Sequence, residues 1–106
     1  LDLIDQIRFF YETPEYEDKS KELINLNIDI IKSFSSRIKD LDFKNLQNLE
    51  SDIKDYLTSN NLKFPQLGKP LRLILSGREN APSISQLLFF LGEQESSRRI
   101  NLFLNN

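Results

Sequence analysis

The sequence predicts an all-α protein, a compact bundle of six or seven short helices. Apolar residues recur at helical spacing along nearly the whole chain, and no stretch shows a convincing strand alternation. Several prolines and glycines stand where these apolar stripes begin or end. The chain has 106 residues, of which 39% are hydrophobic and 28% charged. This composition is typical of a globular protein, and the length suffices for one small domain or for one domain and a piece of another.

Four helices are predicted in the first 60 residues. The first covers residues 3–11 and is ended by Pro14. The second runs over residues 18–26, and an apolar stripe over residues 31–41 predicts the third. Asn45 is a good N-cap residue for the fourth, whose stripe is the clearest in the chain: Leu46, Leu49, Ile53, Tyr56 and Leu57.

The remaining residues continue in the same style. Pro70 suits the first turn of a helix and should kink anything helical before it, while Gly77 is a natural left-handed helix end. Ser83 and Gln86 have the spacing of a capping box at the start of the next helix. Gly92 should end that helix, and a last one is predicted over residues 93–104.

The net charge of −2 conceals an asymmetry between the two halves of the chain. Residues 1–60 contain 8 Lys and Arg against 13 Asp and Glu, whereas residues 61–106 contain 6 against 3. An acidic half repels phosphates, so a nucleic-acid surface is expected in the second half. On charge alone, a scatter of solvated charges remains the favoured interpretation.

Missing residue types restrict the function classes. The chain has no histidine and no cysteine, so it lacks the commonest general base, the commonest metal ligand and any disulfide. It also has no methionine, and we expect a piece of a longer protein whose catalysis lies upstream. No apolar run approaches the roughly 20 residues that span a bilayer, and no signal peptide is visible, so no membrane partner and a cytoplasmic location are expected.

The candidate binding residues lie around the segment of residues 69–78. Lys69, Arg72 and Ser76 follow spacings of three and four and should share a polar helix face, where a guanidinium could fork onto a base edge or a phosphate. Spacing alone favours an ordinary solvated face or an internal ion pair. The loop from Arg78 to Pro82 precedes the free N–H groups of a helix start, but it could equally be a tight connector.

Other clusters have simpler interpretations. Phe89 and Phe90 could stack on bases, yet core packing is favoured because they lie on an apolar stripe. Arg98 and Arg99 either extend the basic surface or balance the negative end of the last helix. No catalytic set and no metal-ligand pattern can be assembled, so the chain itself is expected to be non-catalytic and without a cofactor.

Three short motifs together resemble one family. They are Lys69-Pro70-Leu71-Arg72 continuing to Leu75-Ser76-Gly77, then Ala81-Pro82-Ser83, then Leu91-Gly92-Glu93. In this order and spacing they are similar to the C-terminal region of bacterial-type glutamate–tRNA ligase (glutamyl-tRNA synthetase), a class I aminoacyl-tRNA synthetase. The helix end around residues 9–16 also resembles that family. The resemblance implies two helical anticodon-binding subdomains, the end of the first in residues 1–44 and the second in residues 45–106.

The resemblance also implies roles for particular residues. It places Arg72, Ala81, Pro82 and Ile84 at the anticodon bases and Phe64 at the base pocket. Lys69, Ser76 and Arg78 are added, from their positions in the sequence, as candidate supporting or RNA-backbone-contacting residues. Ala81 replaces the usual hydroxyl residue and Ser83 the usual glycine. Contact at position 81 would therefore involve backbone or shape.

The implied parent enzyme is a monomer that attaches glutamate to tRNA(Glu), using ATP and Mg²⁺ in a catalytic domain outside this chain. Whether it also charges tRNA(Gln) is left open. The alternative is a helical protein–protein interaction domain without an RNA role, in which Arg72 and Arg78 meet acidic residues of a partner.

Overall fold

The computed structural model describes residues 16–77 and 82–105, and this part of the chain is helical without any strand. Five α-helices follow one another: α1 (Asp18–Leu26), α2 (Ile28–Arg37), α3 (Leu46–Ser59), α4 (Phe64–Ser76) and α5 (Ile84–Leu104). A 3-10 turn, Ile38–Asp40, continues α2. The predicted all-α class is confirmed. The helix predicted over residues 3–11 lies outside the described residues.

The count of six or seven helices is slightly too high for the described residues, and Gly92 accounts for part of the difference. Its backbone angles, φ 82° and ψ 168°, are not helical, so the predicted break is present. The chain nevertheless resumes its helix at once, and the two predicted segments form the single element α5. Glycine tolerates a positive φ without steric cost, which allows this sharp bend with no intervening loop.

The helix starts follow the capping chemistry that the sequence predicts. The Asn45 side chain accepts a hydrogen bond from the Asn48 backbone N–H at 3.0 Å and so caps α3. Ser83 caps α5, accepting from the Gln86 N–H at 3.3 Å, and the Gln86 side chain accepts the Ser83 N–H at 3.4 Å. Both caps satisfy N–H groups that a helix start would otherwise leave free.

The first-turn position predicted for Pro70 is wrong. The helix begins six residues earlier, at Phe64, with Pro65 in its first turn and Pro70 inside it. Proline in a helix interior removes one backbone hydrogen bond and crowds the preceding turn. Here Pro70 is buried together with its neighbours Leu67 and Leu71, and this packing offsets the local cost.

Helix α4 occupies the centre of the fold. It packs against α1, α2 and α5, and eight of its thirteen residues are buried. The core draws residues from all five helices, among them Ile24, Phe34, Leu49, Leu71 and Leu88. A helix held on three sides has little freedom to shift, so its surface residues are presented in a fixed register. The subdomain boundary between residues 44 and 45 stays a prediction.

Within the described residues no helix is both long and apolar enough to cross a membrane.

Candidate nucleic-acid interface

Arg72 is the most unusual polar residue of α4. Its side chain is half-buried, and its Nε is fully buried without a hydrogen-bond partner among the described residues. A buried donor left unpaired costs roughly 1–3 kcal/mol, and buried polar groups in folded proteins are nearly always paired. The Nε of Arg72 is therefore a hydrogen-bond donor for which the described part of the chain supplies no acceptor.

The residues around Arg72 do not form the uniform polar face that spacing predicts. Lys69 is exposed, one turn before Arg72. Ser76 is only 5% exposed, and its hydroxyl donates to the Arg72 carbonyl at 2.7 Å. Ser76 is thus placed to support the helix backbone at Arg72, and its burial takes it away from the solvent-facing surface. Spacing located these residues on α4 but could not show how deeply each side of the helix is covered.

An exposed aromatic ring marks the other end of α4. Phe64 is 46% exposed, and its ring lies directly against Gly68. A Cβ atom added at Gly68 would stand 2.7 Å from Phe64 Cε1, so only glycine leaves the ring this position. Residues 64, 68 and 72 follow spacings of four, which places Phe64, Gly68 and Arg72 along one side of the helix. Sequence reasoning missed Gly68, although a glycine four residues after an aromatic was visible.

The C-terminal end of α4 is closed by three different donors. The Leu73 carbonyl accepts from the Gly77 N–H at 2.7 Å, and Gly77 has the left-handed φ of 75° that the sequence predicts. The Ile74 carbonyl accepts from the Tyr16 hydroxyl at 2.7 Å, and the Leu75 carbonyl from Arg99 Nη1 at 2.6 Å. Carbonyls that helix ends usually leave to water are therefore bonded to protein.

Arg99 is almost completely buried, with 1% of its surface exposed. Its Nε donates to Glu95 Oε2 at 2.7 Å, and Arg98 Nη2 donates to the same oxygen at 2.6 Å. Hydrogen bonds from Arg98, and then from Arg99, lower the pKa of Glu95 to about 2 against the opposing effect of its partial burial. Neither sequence interpretation of Arg99 holds, because its side chain is buried and bonds Glu95 and the end of α4, so it neither extends a basic surface nor caps the last carbonyls of α5.

Tyr16 remains a hydrogen-bond donor over the whole physiological range. Burial raises the pKa of its hydroxyl to about 12, although the nearby positive charges of Arg99 and Arg98 act in the opposite direction. The bond to the Ile74 carbonyl requires the protonated hydroxyl, so this contact does not depend on pH near neutrality. Nothing in the sequence around Tyr16 pointed to this partner, which lies 58 positions away.

The structure describes only two of the four residues predicted at the loop, Pro82 and Ile84. Ile84 is fully buried in the core at the first position of α5, and Pro82 is half-buried two residues before it. Ala81 and Arg78 lie outside the described residues. With its side chain in the core, Ile84 would reach a base only through its backbone or by shaping the loop before it. The roles of all four residues stay predictions.

At α4 the described residues present a surface on which Phe64 and Lys69 are exposed. Two open cavities, of about 240 and 610 Å³, lie elsewhere and contain none of the predicted site residues. Within the described ranges no three His, Cys, Asp or Glu residues come together as a metal site. An exposed ring and an arginine along one helix suit a large ligand that lies across the surface better than a small molecule.

The described residues form an all-helical fold with an arginine on its central helix. Sequence similarity shows which class of protein has this fold. The profile of the family described as anticodon binding domain matches residues 1–104. The chain therefore belongs to the anticodon binding domain family.

Curated proteins similar to this chain include several glutamate–tRNA ligases. That of Methylobacillus flagellatus is 31% identical over 100 residues, which are 92% of this chain and 21% of the relative. Glutamate–tRNA ligase 1 of Aliarcobacter butzleri is 32% identical over 85 residues, which are 80% of this chain and 17% of the relative. Glutamate–tRNA ligase 1 of Bartonella bacilliformis is 31% identical over 108 residues, which are 99% of this chain and 23% of the relative. The chain thus spans about a fifth of the length of these relatives.

Proposed function

We propose that this chain is the anticodon-binding module of a glutamate–tRNA ligase and that Arg72 recognises an anticodon base of tRNA(Glu). The observation that supports this most strongly is the buried, unpaired Nε of Arg72 on a helix whose C-terminal end is held in place. The family match and the ligase relatives support the class of ligand.

Recognition would use two residues of α4 together, the exposed Phe64 and the half-buried Arg72. Anticodon bases are single-stranded, so they can leave the stack and expose their pairing edges and faces to protein groups. The Phe64 ring would stack on one base, an interaction that is largely independent of base identity. The Arg72 donors would bond the edge or phosphate of another. A base without the matching acceptor would leave Arg72 unpaired, at a cost of roughly 1–3 kcal/mol.

The catalytic step is proposed for the rest of the ligase. There ATP, with Mg²⁺, would activate glutamate for transfer to the tRNA, while the residues described here contribute binding and orientation. We further propose a cytoplasmic, monomeric enzyme.

The test is an Arg72→Ala substitution in the full-length ligase that contains this chain. We expect discrimination between tRNA(Glu) and a tRNA(Glu) with one altered anticodon base to fall by about tenfold or more, since a hydrogen bond from a charged group contributes roughly 1.5–3 kcal/mol. Aminoacylation kinetics with both tRNAs measure it. The same assay with tRNA(Gln) decides whether that tRNA is a substrate too.

Lys69→Ala is the matched control, because Lys69 is an exposed cation one turn away on the same helix. It should weaken both tRNAs alike and in a salt-dependent manner, as loss of a backbone contact does. If Arg72→Ala leaves discrimination unchanged, the assignment of Arg72 is wrong. If no part of the ligase's tRNA binding depends on this module, the protein-interaction alternative is favoured.

A further inference from the structure

We propose that Tyr16 is a positioning residue for anticodon recognition, acting with Arg99 to hold the C-terminal end of α4 and thereby Arg72 in register. The inference rests on the function proposed for Arg72. We call Tyr16, Arg99 and Glu95 the α4 anchor. None of them was predicted as a site residue, and none has to touch RNA for the proposal to hold.

The anchor acts on a part of the helix that is ordinarily the loosest. The last carbonyls of an α-helix have no partner within the helix, and helix ends fray. Here the Ile74 and Leu75 carbonyls accept from side chains 58 and 24 positions away in the sequence. Two long-range hydrogen bonds on adjacent carbonyls fix both the rotation and the position of the final turn.

Tyr16 connects this turn to two other parts of the fold. It lies just before α1, and its ring packs edge-on against Phe103 near the end of α5, with the ring centroids 5.4 Å apart. Its hydroxyl then reaches the Ile74 carbonyl at 2.7 Å. One side chain therefore ties the segment that precedes α1 to both α4 and α5.

The effect reaches Arg72 through the helix backbone. Arg72 lies two residues before Ile74, and its own carbonyl is bonded to the Ser76 hydroxyl in the anchored turn. The Arg72 Nε is buried, so the side chain leaves the helix along a restricted path. A shift or rotation of the last turn would displace the guanidinium, and recognition groups must be held within about 0.5 Å of their working geometry.

The experiment compares Tyr16→Phe with Tyr56→Phe in the full-length ligase. Tyr56 is a close structural match because it also packs edge-on against a phenylalanine, Phe34, with centroids 5.3 Å apart. Its hydroxyl donates to Ser33 Oγ at 2.9 Å, within the α2–α3 packing and away from α4. Each variant loses one hydroxyl and one hydrogen bond and keeps its ring.

We expect Tyr16→Phe to raise the KM for tRNA(Glu) and to lower discrimination against the altered anticodon by about three- to tenfold, the range of one neutral hydrogen bond. The kcat at saturating tRNA should stay the same, because the catalytic step lies elsewhere. Tyr56→Phe should lower the melting temperature to a similar degree but leave KM and discrimination unchanged. Equal changes of KM in the two variants would reduce Tyr16 to a merely structural role and overturn the proposal.

A double-mutant cycle with Arg72→Ala separates this proposal from the one on which it rests. If Tyr16 acts through Arg72, Tyr16→Phe should have no further effect on discrimination once Arg72 is removed. Full additivity would overturn the positioning role while leaving the function of Arg72 intact. If Arg72→Ala alone has no effect, the proposed function fails and the positioning proposal fails with it.

Discussion

The two ends of α4 are built in opposite ways. At the C-terminal end three backbone carbonyls accept hydrogen bonds from Gly77, Tyr16 and Arg99, and the residues there are buried. At the N-terminal end the chain is exposed, and the Gln66 side chain closes the first turn by accepting the Lys63 N–H at 2.8 Å. Two of the three donors at the C-terminal end come from residues distant in the sequence, whereas the contact at the N-terminal end spans three residues.

This contrast shows that one helix can hold one side chain in a fixed position and leave another exposed to solvent. Arg72 lies near the anchored end, where a fixed position would serve the base recognition that we propose for it. Phe64 lies at the open end, where a half-exposed ring can stack on a base without strict geometry. Gly68 lies between them and is buried against the Phe64 ring.

The largest effect is expected from breaking the anchored end with Arg99→Met. Methionine fills much of the space but leaves the Leu75 carbonyl unpaired in the interior and removes one partner of Glu95. We expect a loss of roughly 2–3 kcal/mol in the free energy of unfolding, measured by urea denaturation. Arg98→Met is the control, since Arg98 is half-exposed and makes its ion pair at the surface. A loss as large for Arg98→Met would mean that the anchor does not stabilise α4 specifically.

A smaller effect, also at the anchored end, should appear in acid. The pKa of Glu95 falls from 4.5 to about 2 on folding, so the folded state favours its charged form. Its contribution is complete above the ordinary pKa and disappears as the pH falls from about 5 through 2. Glu95→Gln should therefore flatten the decrease of unfolding free energy over this range. Asp42, whose pKa is lowered by hydrogen bonds from the Asn48 side chain and the Lys44 backbone, should keep part of the slope. An unchanged slope would contradict the ion pair.

The smallest change in stability should come from Gly68→Ala at the open end. Alanine favours a helix by about 1 kcal/mol over glycine, while the new methyl group forces the exposed Phe64 ring outward. We expect the unfolding free energy to rise by less than about 1 kcal/mol and the KM for tRNA(Glu) to increase. Gln66→Ala, at an exposed position in the same turn, should not affect tRNA binding beyond its small effect on the helix start. Unimpaired tRNA binding by Gly68→Ala would show that the position of the Phe64 ring is irrelevant.

Local chemistry explains which parts of the fold could be predicted. Asn45 and Ser83 cap helices because their own side chains reach backbone groups three residues on, and Gly77 ends a helix because its φ is positive. The first-turn position predicted for Pro70 was wrong because its burial in the core outweighs the local preference of proline for a first turn. Gly92 was located correctly because its positive φ interrupts the helix, and the helix continues after it as the apolar pattern of residues 93–104 predicts.

The sequence by itself determined the helical class, most helix boundaries and the segment on which the candidate site lies, because these follow from periodicity and from contacts within a few residues. Only the tertiary structure decided which arginines are buried. Arg72, Arg98 and Arg99 are chemically alike, yet one has an unpaired buried donor, one an exposed ion pair and one a place inside the protein. Their difference arises from what packs over each helix face, and that depends on residues as far apart as Tyr16 and Ile74.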